Sequence, residues 1–305
     1  MLRSAIAAFA APVSVASASG APDLSFHEAP DGGFTFDTGV LRGKLRAGGK
    51  SSGLTDVVHV PSGARISQTY GLVGHYRVLA ANRRFLPDVW AMPSEATLAG
   101  GGSVQARWPA AADRPFEMRV TYRWSAADTL EVETGVTAGA PLAGFESFLA
   151  SYFAEEFNRA LVWVREDEGT FAAADEGGGP WQMFPRDQAA VRLIQDGRWT
   201  FPPNPVDWRI RTNLKLPIGI RRGSVSRMSA VIMARDGDCF AVSTPVQNDG
   251  HRSLYLSLFG RDLSRDETAS ARACLVIGTL QDDEIVHRYH SFDMASMSYP
   301  STLTR

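Results

Sequence analysis

Two histidines near arginines, one glutamate in apolar company and a set of tryptophans in proline-containing loops could do chemistry in this 305-residue chain. His75 and Arg77 lie two residues apart in Gly71-Leu-Val-Gly-His-Tyr-Arg-Val78, so on a strand they share a face and Tyr76 takes the other. A histidine that can exchange protons beside a fixed cation suits acid/base work and anion binding. His251, with Arg252 beside it and Tyr255 further on, repeats the theme. His75 and Arg77 are equally explained as an exposed polar strand face, and a lone histidine such as His251 is more often structural than catalytic.

Glu146 sits in Phe145-Glu-Ser-Phe-Leu-Ala-Ser-Tyr-Phe153, where a strand would align it with Phe148, Ala150 and Tyr152. A carboxylate in such company must be paired or neutral, because burying a lone charge is costly. It is either half of a buried ion pair with an arginine or a catalytic carboxyl with a raised pKa. Trp181-Gln-Met-Phe-Pro-Arg-Asp187 and the stretch from Trp199 to Arg209, which includes Trp208, combine flat rings with Arg, Asp and Asn. Such residues offer an apolar surface to the C–H face of a sugar and hydrogen-bond partners to its hydroxyls; packing over a sheet edge is the plainer account of the same loops.

The working set is therefore His75 and His251 as proton donor and acceptor and Glu146 as a further acid/base. Arg77 and Arg252 are anchors, Trp181 and Trp208 stacking surfaces, and Tyr255 a further substrate contact. No metal or cofactor is expected. Cys239 and Cys274, the two cysteines, lie in apolar strands outside any metal-ligand spacing, and read as small hydrophobes. The run Gly43-Lys-Leu-Arg-Ala-Gly-Gly-Lys-Ser51 lacks the first glycine of a phosphate loop, since Lys44 holds that place, and no helix pattern follows it. Nucleophile-elbow, metalloprotease-helix and dinucleotide fingerprints are absent from the sequence.

Strands must position these residues. Residues 239–245, 251–260 and 271–278 read as three in succession, with turns at 248–250 and 261–267. In the middle one Leu254, Leu256 and Leu258 face one way, and His251, Ser253, Tyr255, Ser257 and Phe259 the other. Residues 116–124 alternate strictly, residues 129–138 continue the pattern, and Ser125 to Asp128 joins the two as a hairpin. Further strand signals fall at 34–36, 40–41, 56–60 and 65–78. Helix is scarce: the candidates are 155–163 and 282–289, and either reads equally as a loop turn. The fold class is all-β: a large antiparallel sandwich of two sheets with few short helices, and Leu254, Leu256, Leu258, Val120, Tyr122 and Val132 in its core.

This pattern, carried by residues 116–138 and 251–260 over a span of roughly 30–280, resembles the galactose mutarotase-like supersandwich. That sandwich is found in aldose epimerases and in domains of glycoside hydrolases and polysaccharide lyases. The resemblance implies a carbohydrate partner and an open cleft on one sheet, for hydrolysis, elimination or epimerisation; no histidine signature transfers with it, so the residue roles above rest on the residues alone. A non-catalytic sugar-binding or structural protein of the envelope is the alternative.

Hydrophobic residues make up 44% of the chain and charged residues 21%, as in a folded globular protein. The net charge of −2 with scattered Lys and Arg leaves no footprint for nucleic acid. Met1-Leu-Arg3, a short apolar run and Ala16-Ser-Ala18 read as a signal peptide over residues 1–18. The expectation is export to the periplasm or beyond, with a single domain over 19–305 and no membrane span.

Overall fold

The computed structural model describes residues 21–47, 53–246 and 250–295. The expected signal peptide, most of the glycine-rich 48–53 loop and residues 248 and 249 of the expected 248–250 turn lie outside them. Among the described residues, strands form three sheets, of nine, seven and five strands. The two larger sheets face each other. Val120, Tyr122 and Val132 from the nine-stranded sheet and Leu254, Leu256 and Leu258 from the seven-stranded sheet are all buried in one inner core. The five-stranded sheet adds Phe34, Phe36, Leu41, Leu45 and Leu54 to that core, and the Phe36 ring lies 4.8 Å from Trp124. An all-β sandwich is thus the architecture, with a third sheet beyond the two expected.

The 116–138 hairpin pairs in the register its alternation demands: Met118 opposite Val136, Val120 opposite Thr134 and Tyr122 opposite Val132. Period-two burial of the apolar set fixes that register, since a slip of one residue would send the set to the opposite face.

The seven-stranded sheet carries the candidate site. Its strand order is Arg209–Ile210, Trp181–Pro185, Cys239–Pro245, Ser253–Leu263, Leu142–Tyr152, Gly74–Ala80, Arg83–Arg84. All neighbours run antiparallel except the first two, which pair in parallel. Its outer face is buried under residues 188–208, beginning with a helix, Gln188–Ile194, that the sequence reading missed. Asp187 caps this helix by accepting from the Ala190 N–H at 2.9 Å. On the far side of the molecule the Asp282–Ala295 helix, expected at its start, covers the outer face of the nine-stranded sheet with Ile285, Tyr289 and Phe292.

Two expectations need correction. The helix expected at 155–163 is a turn followed by the strand Arg159–Val164, in which Ala160 to Val162 and Val164 are buried between neighbours at a strand's spacing. Phe259 does not share a face with Tyr255. Phe259 and Gly260 take positive φ values of 73° and 65°, and the ladder to Leu142–Tyr152 shifts register there, which turns Phe259 into the inner core. Cys239 and Cys274 are buried free thiols, and burial raises the pKa of both, that of Cys239 to about 12.

Candidate functional site

The ladder between Gly74–Ala80 and Leu142–Tyr152 pairs Arg77 with Phe148 and His75 with Leu149, so Tyr76 is an extra residue. This bulge reverses the alternation. Val78 packs in the inner core and Leu79 on the outer face, as strand periodicity requires, but Tyr76 and Arg77 both turn outward and His75 turns in. His75 and Arg77 therefore do not share a face, contrary to the sequence expectation.

His75 is sealed between the two large sheets. Its Nδ1 lies 2.7 Å from the Ser147 hydroxyl and its Nε2 3.0 Å from that of Thr134, across the sandwich. A neutral imidazole offers one donor and one acceptor, and two hydroxyls can satisfy both. Burial pushes the pKa of His75 down to about 3. It has no path to a ligand on the outer face, and its pairing with His251 as donor and acceptor is not what the fold builds.

Glu146 does project outward, beneath the 196–208 loop and away from the pocket. Its Oε2 accepts from Arg198 Nη1 at 3.0 Å, and both side chains are fully buried. Burial raises the Glu146 pKa, opposed by the Arg198 guanidinium. Arg198 also binds Asp196, Nη2 to Oδ2 at 2.8 Å, and so ties the start of the loop to the sheet. Of the two readings of Glu146, this is the buried ion pair. Arg252, in the left-handed region at φ 43°, donates to the Gly250 carbonyl at 3.2 Å and does not line the pocket.

The remaining candidates converge. Arg77, Trp181, Trp208, His251 and Tyr255 line one open pocket of about 410 Å³ on the outer face. With them stand Tyr70, Tyr76, Asp88, Trp90, Phe148, Tyr152, Trp199 and residues 204–206, whose place the sequence reading did not assign. Trp90 lies in Pro87-Asp-Val-Trp-Ala-Met-Pro93, a proline-tryptophan loop of the same composition that singled out the other two.

These rings touch in a closed circuit. From Trp199 the path runs to Trp208 at 5.3 Å, Tyr255 at 6.2 Å, Tyr152 at 5.9 Å and Tyr70 at 5.2 Å. It continues to Trp90 at 6.1 Å and Tyr76 at 5.1 Å, and the Arg77 guanidinium closes it, 5.0 Å from the Tyr76 ring and 5.2 Å from that of Trp199. Phe148, stacked on Tyr255 at 4.7 Å, forms the floor. Trp181 meets Trp208 at 5.9 Å and the exposed His251 ring at 5.2 Å at the rim.

Polar groups in the pocket are unevenly matched. Arg77 Nη2 donates to the Asn204 carbonyl at 2.8 Å, while its Nε, and the indole N–H groups of Trp199 and Trp208, are buried without partners among the described residues. Asp88, the one carboxylate among the described lining residues, faces Arg84 at 3.6 Å. Arg84 donates to the carbonyls of Phe201 and Pro203, so Arg77 and Arg84 together hold the pocket wall in place. Tyr255 accepts from the Ser253 hydroxyl at 2.7 Å, and burial raises its pKa to about 12 and that of Tyr152 well above the ordinary value. Neither is a phenolate at neutral pH. Among the described residues there is no group of three or more His, Cys, Asp or Glu placed to hold a metal ion, and no helix is long and apolar enough to cross a membrane.

No protein-family model matches the chain, and no curated protein matches it. Solved structures do. A candidate aldose 1-epimerase from Escherichia coli K12 is similar at TM-score 0.46 and 11% identity, over 81% of this chain and 99% of that one. A GalM/aldose epimerase homologue from C. elegans is similar at TM-score 0.41 and 11% identity, over 82% and 92% of the two chains. The α-N-acetylgalactosaminidase NagBb of Bifidobacterium bifidum is similar at TM-score 0.45 and 11% identity, over 90% of this chain but only 38% of its own. Proteins of the kind that the strand pattern resembles are among these neighbours.

Proposed function

We propose that this protein recognises a saccharide in the aromatic pocket on the outer face of its seven-stranded sheet. The closed circuit of rings around an open pocket carries the reading. A pyranose presents apolar C–H faces and a polar equator, and this pocket sets flat rings beside the polar side chains of Arg77, Asp88 and Asn204. Its volume, about 410 Å³, lies in the range of small-molecule sites. Isothermal titration of the purified protein with a panel of oligosaccharides tests the reading: at least one binds, and none binding overturns it.

Catalysis is a second reading, favoured by one observation: His251 stands at the rim of the same pocket, against Trp181. Of the three residues first considered catalytic it alone lines the pocket, so an elimination or epimerisation with His251 as acid/base fits this site better than hydrolysis by two carboxylates, for which Asp88 is the one described lining carboxylate. Product analysis on any bound oligosaccharide separates the readings; turnover lost in His251→Ala supports catalysis, and binding without turnover leaves recognition.

Export is part of the proposal, supported by the residues of the first eighteen positions. Amino-terminal sequencing from the native host should find a chain beginning near Ser19; an intact Met1 on cytoplasmic protein contradicts it.

A further inference from the structure

Resting on the saccharide reading, we infer that the pocket selects an acidic sugar, a hexuronate whose carboxylate docks on Arg77. The donors and acceptors of the pocket do not balance. Arg77, Trp199 and Trp208 line the pocket as donor-only side chains, against one carboxylate, that of Asp88, among the described lining residues. A ligand that brings acceptors suits such a lining.

Charge points the same way. Arg77 is 4% exposed, and its guanidinium makes one hydrogen bond among the described residues, to a neutral carbonyl. Buried charges are ordinarily paired. Asp88, which could supply the pairing, is drawn to Arg84, and Arg84 in turn lies close enough to feel the charge of Arg77. Two buried guanidinium groups thus share one carboxylate, and the pocket side of the pair is left positive. The residual charge calls for one more anion.

The guanidinium supplies the donor. Arg77 is held between the Tyr76 and Trp199 rings, and Nη2 is committed to Asn204. Nη1 is left without a hydrogen bond among the described residues. A guanidinium N–H makes a strong charge-assisted hydrogen bond to a carboxylate oxygen. A sugar ring carrying that carboxylate then lies against the aromatic rings beside the arginine.

Direct binding measurements on the full chain test this, with oligosaccharides of polygalacturonate, alginate and hyaluronan, their carboxyl-reduced counterparts, and carrageenan oligosaccharides that carry sulfate but no carboxylate. Wild-type protein should bind at least one uronate at least tenfold more tightly than its carboxyl-reduced form, with affinity falling as salt rises. Arg77→Gln should erase that preference, and Arg77→Lys should restore part of it. The wild-type comparison alone decides the matter if Arg77→Gln does not fold. Neutral forms bound as tightly as the uronates overturn the acidic-sugar inference and leave saccharide recognition standing. Preference for the sulfated oligosaccharides overturns the assignment to a carboxylate. Binding of no saccharide, acidic or neutral, overturns both.

Discussion

His75 and Arg77 stand two residues apart on one strand and face opposite sides of the sheet. His75 reaches across the sandwich to the Thr134 hydroxyl at 3.0 Å, while Arg77 lies over the Trp199 ring at 5.2 Å on the outer face. The bulge at Tyr76 produces this division, placing a cation in the pocket and a neutral imidazole in the core. Each side of the strand makes its own demand on the protein.

On the inner side, His75 should make stability depend on pH. Its folded pKa, about 3, is below the ordinary 6.5, so between those values the unfolded chain binds the extra proton. Stability is then full above pH 6.5 and falls with acidification toward pH 3, at up to about 1.4 kcal/mol per pH unit. Urea denaturation of wild type and His75→Gln across this window checks the sign. The variant should be less stable at pH 7 and show the shallower slope; equal slopes would remove the buried histidine from the explanation.

Beneath the 196–208 loop, the Glu146–Arg198 pair should behave as a positioning device. Removing one partner strands a buried charge, so Arg198→Leu should cost about 3–5 kcal/mol, and the Glu146→Leu/Arg198→Leu double variant clearly less than the sum of the singles. Because Arg198 precedes Trp199, saccharide affinity should fall in the single variant even where the protein remains folded. Chemical denaturation and titration on the same samples measure both. Additive losses with unchanged affinity would leave the pair without this role.

Gly53 should tolerate no side chain. Its φ is 71°, and a Cβ there would lie 2.1 Å from the Leu72 carbonyl oxygen, where the five-stranded sheet bridges toward Gly74–Ala80 through Leu54 and Leu72. Gly53→Ala should destabilise the protein by about 2 kcal/mol or more, seen as a lowered melting temperature. Wild-type stability in that variant would show that the two segments are not pressed together there.

The regular strands were legible because burial repeats every second residue: Val120, Tyr122, Leu254 and Leu256 all lie in the core where their alternation placed them. The pocket was legible in part, and the reason is local. Trp181, Trp208, His251, Arg77 and Tyr255 were found by residue type, which survives any error in register. His75 was misplaced because one extra residue inverts the face of everything before it, and nothing in Gly74-His-Tyr-Arg-Val78 marks a bulge. Tyr70 reaches the pocket from a loop and Trp90 and Trp199 from two short 3-10 turns, where no periodicity tells a side chain which way to point. The helix Gln188–Ile194 hid behind a short apolar run, although Asp187 stands at its start as a cap.

Saccharide recognition by the ring-lined pocket is tested most directly by titrating wild type and Trp181→Ala with the same oligosaccharide in a calorimeter. Trp181 is half-buried at the rim, so its loss should leave the melting temperature near that of wild type. The account predicts binding by the wild type and an affinity at least tenfold weaker in Trp181→Ala, about 1.4 kcal/mol of binding free energy. A saccharide bound equally well by both proteins would contradict it.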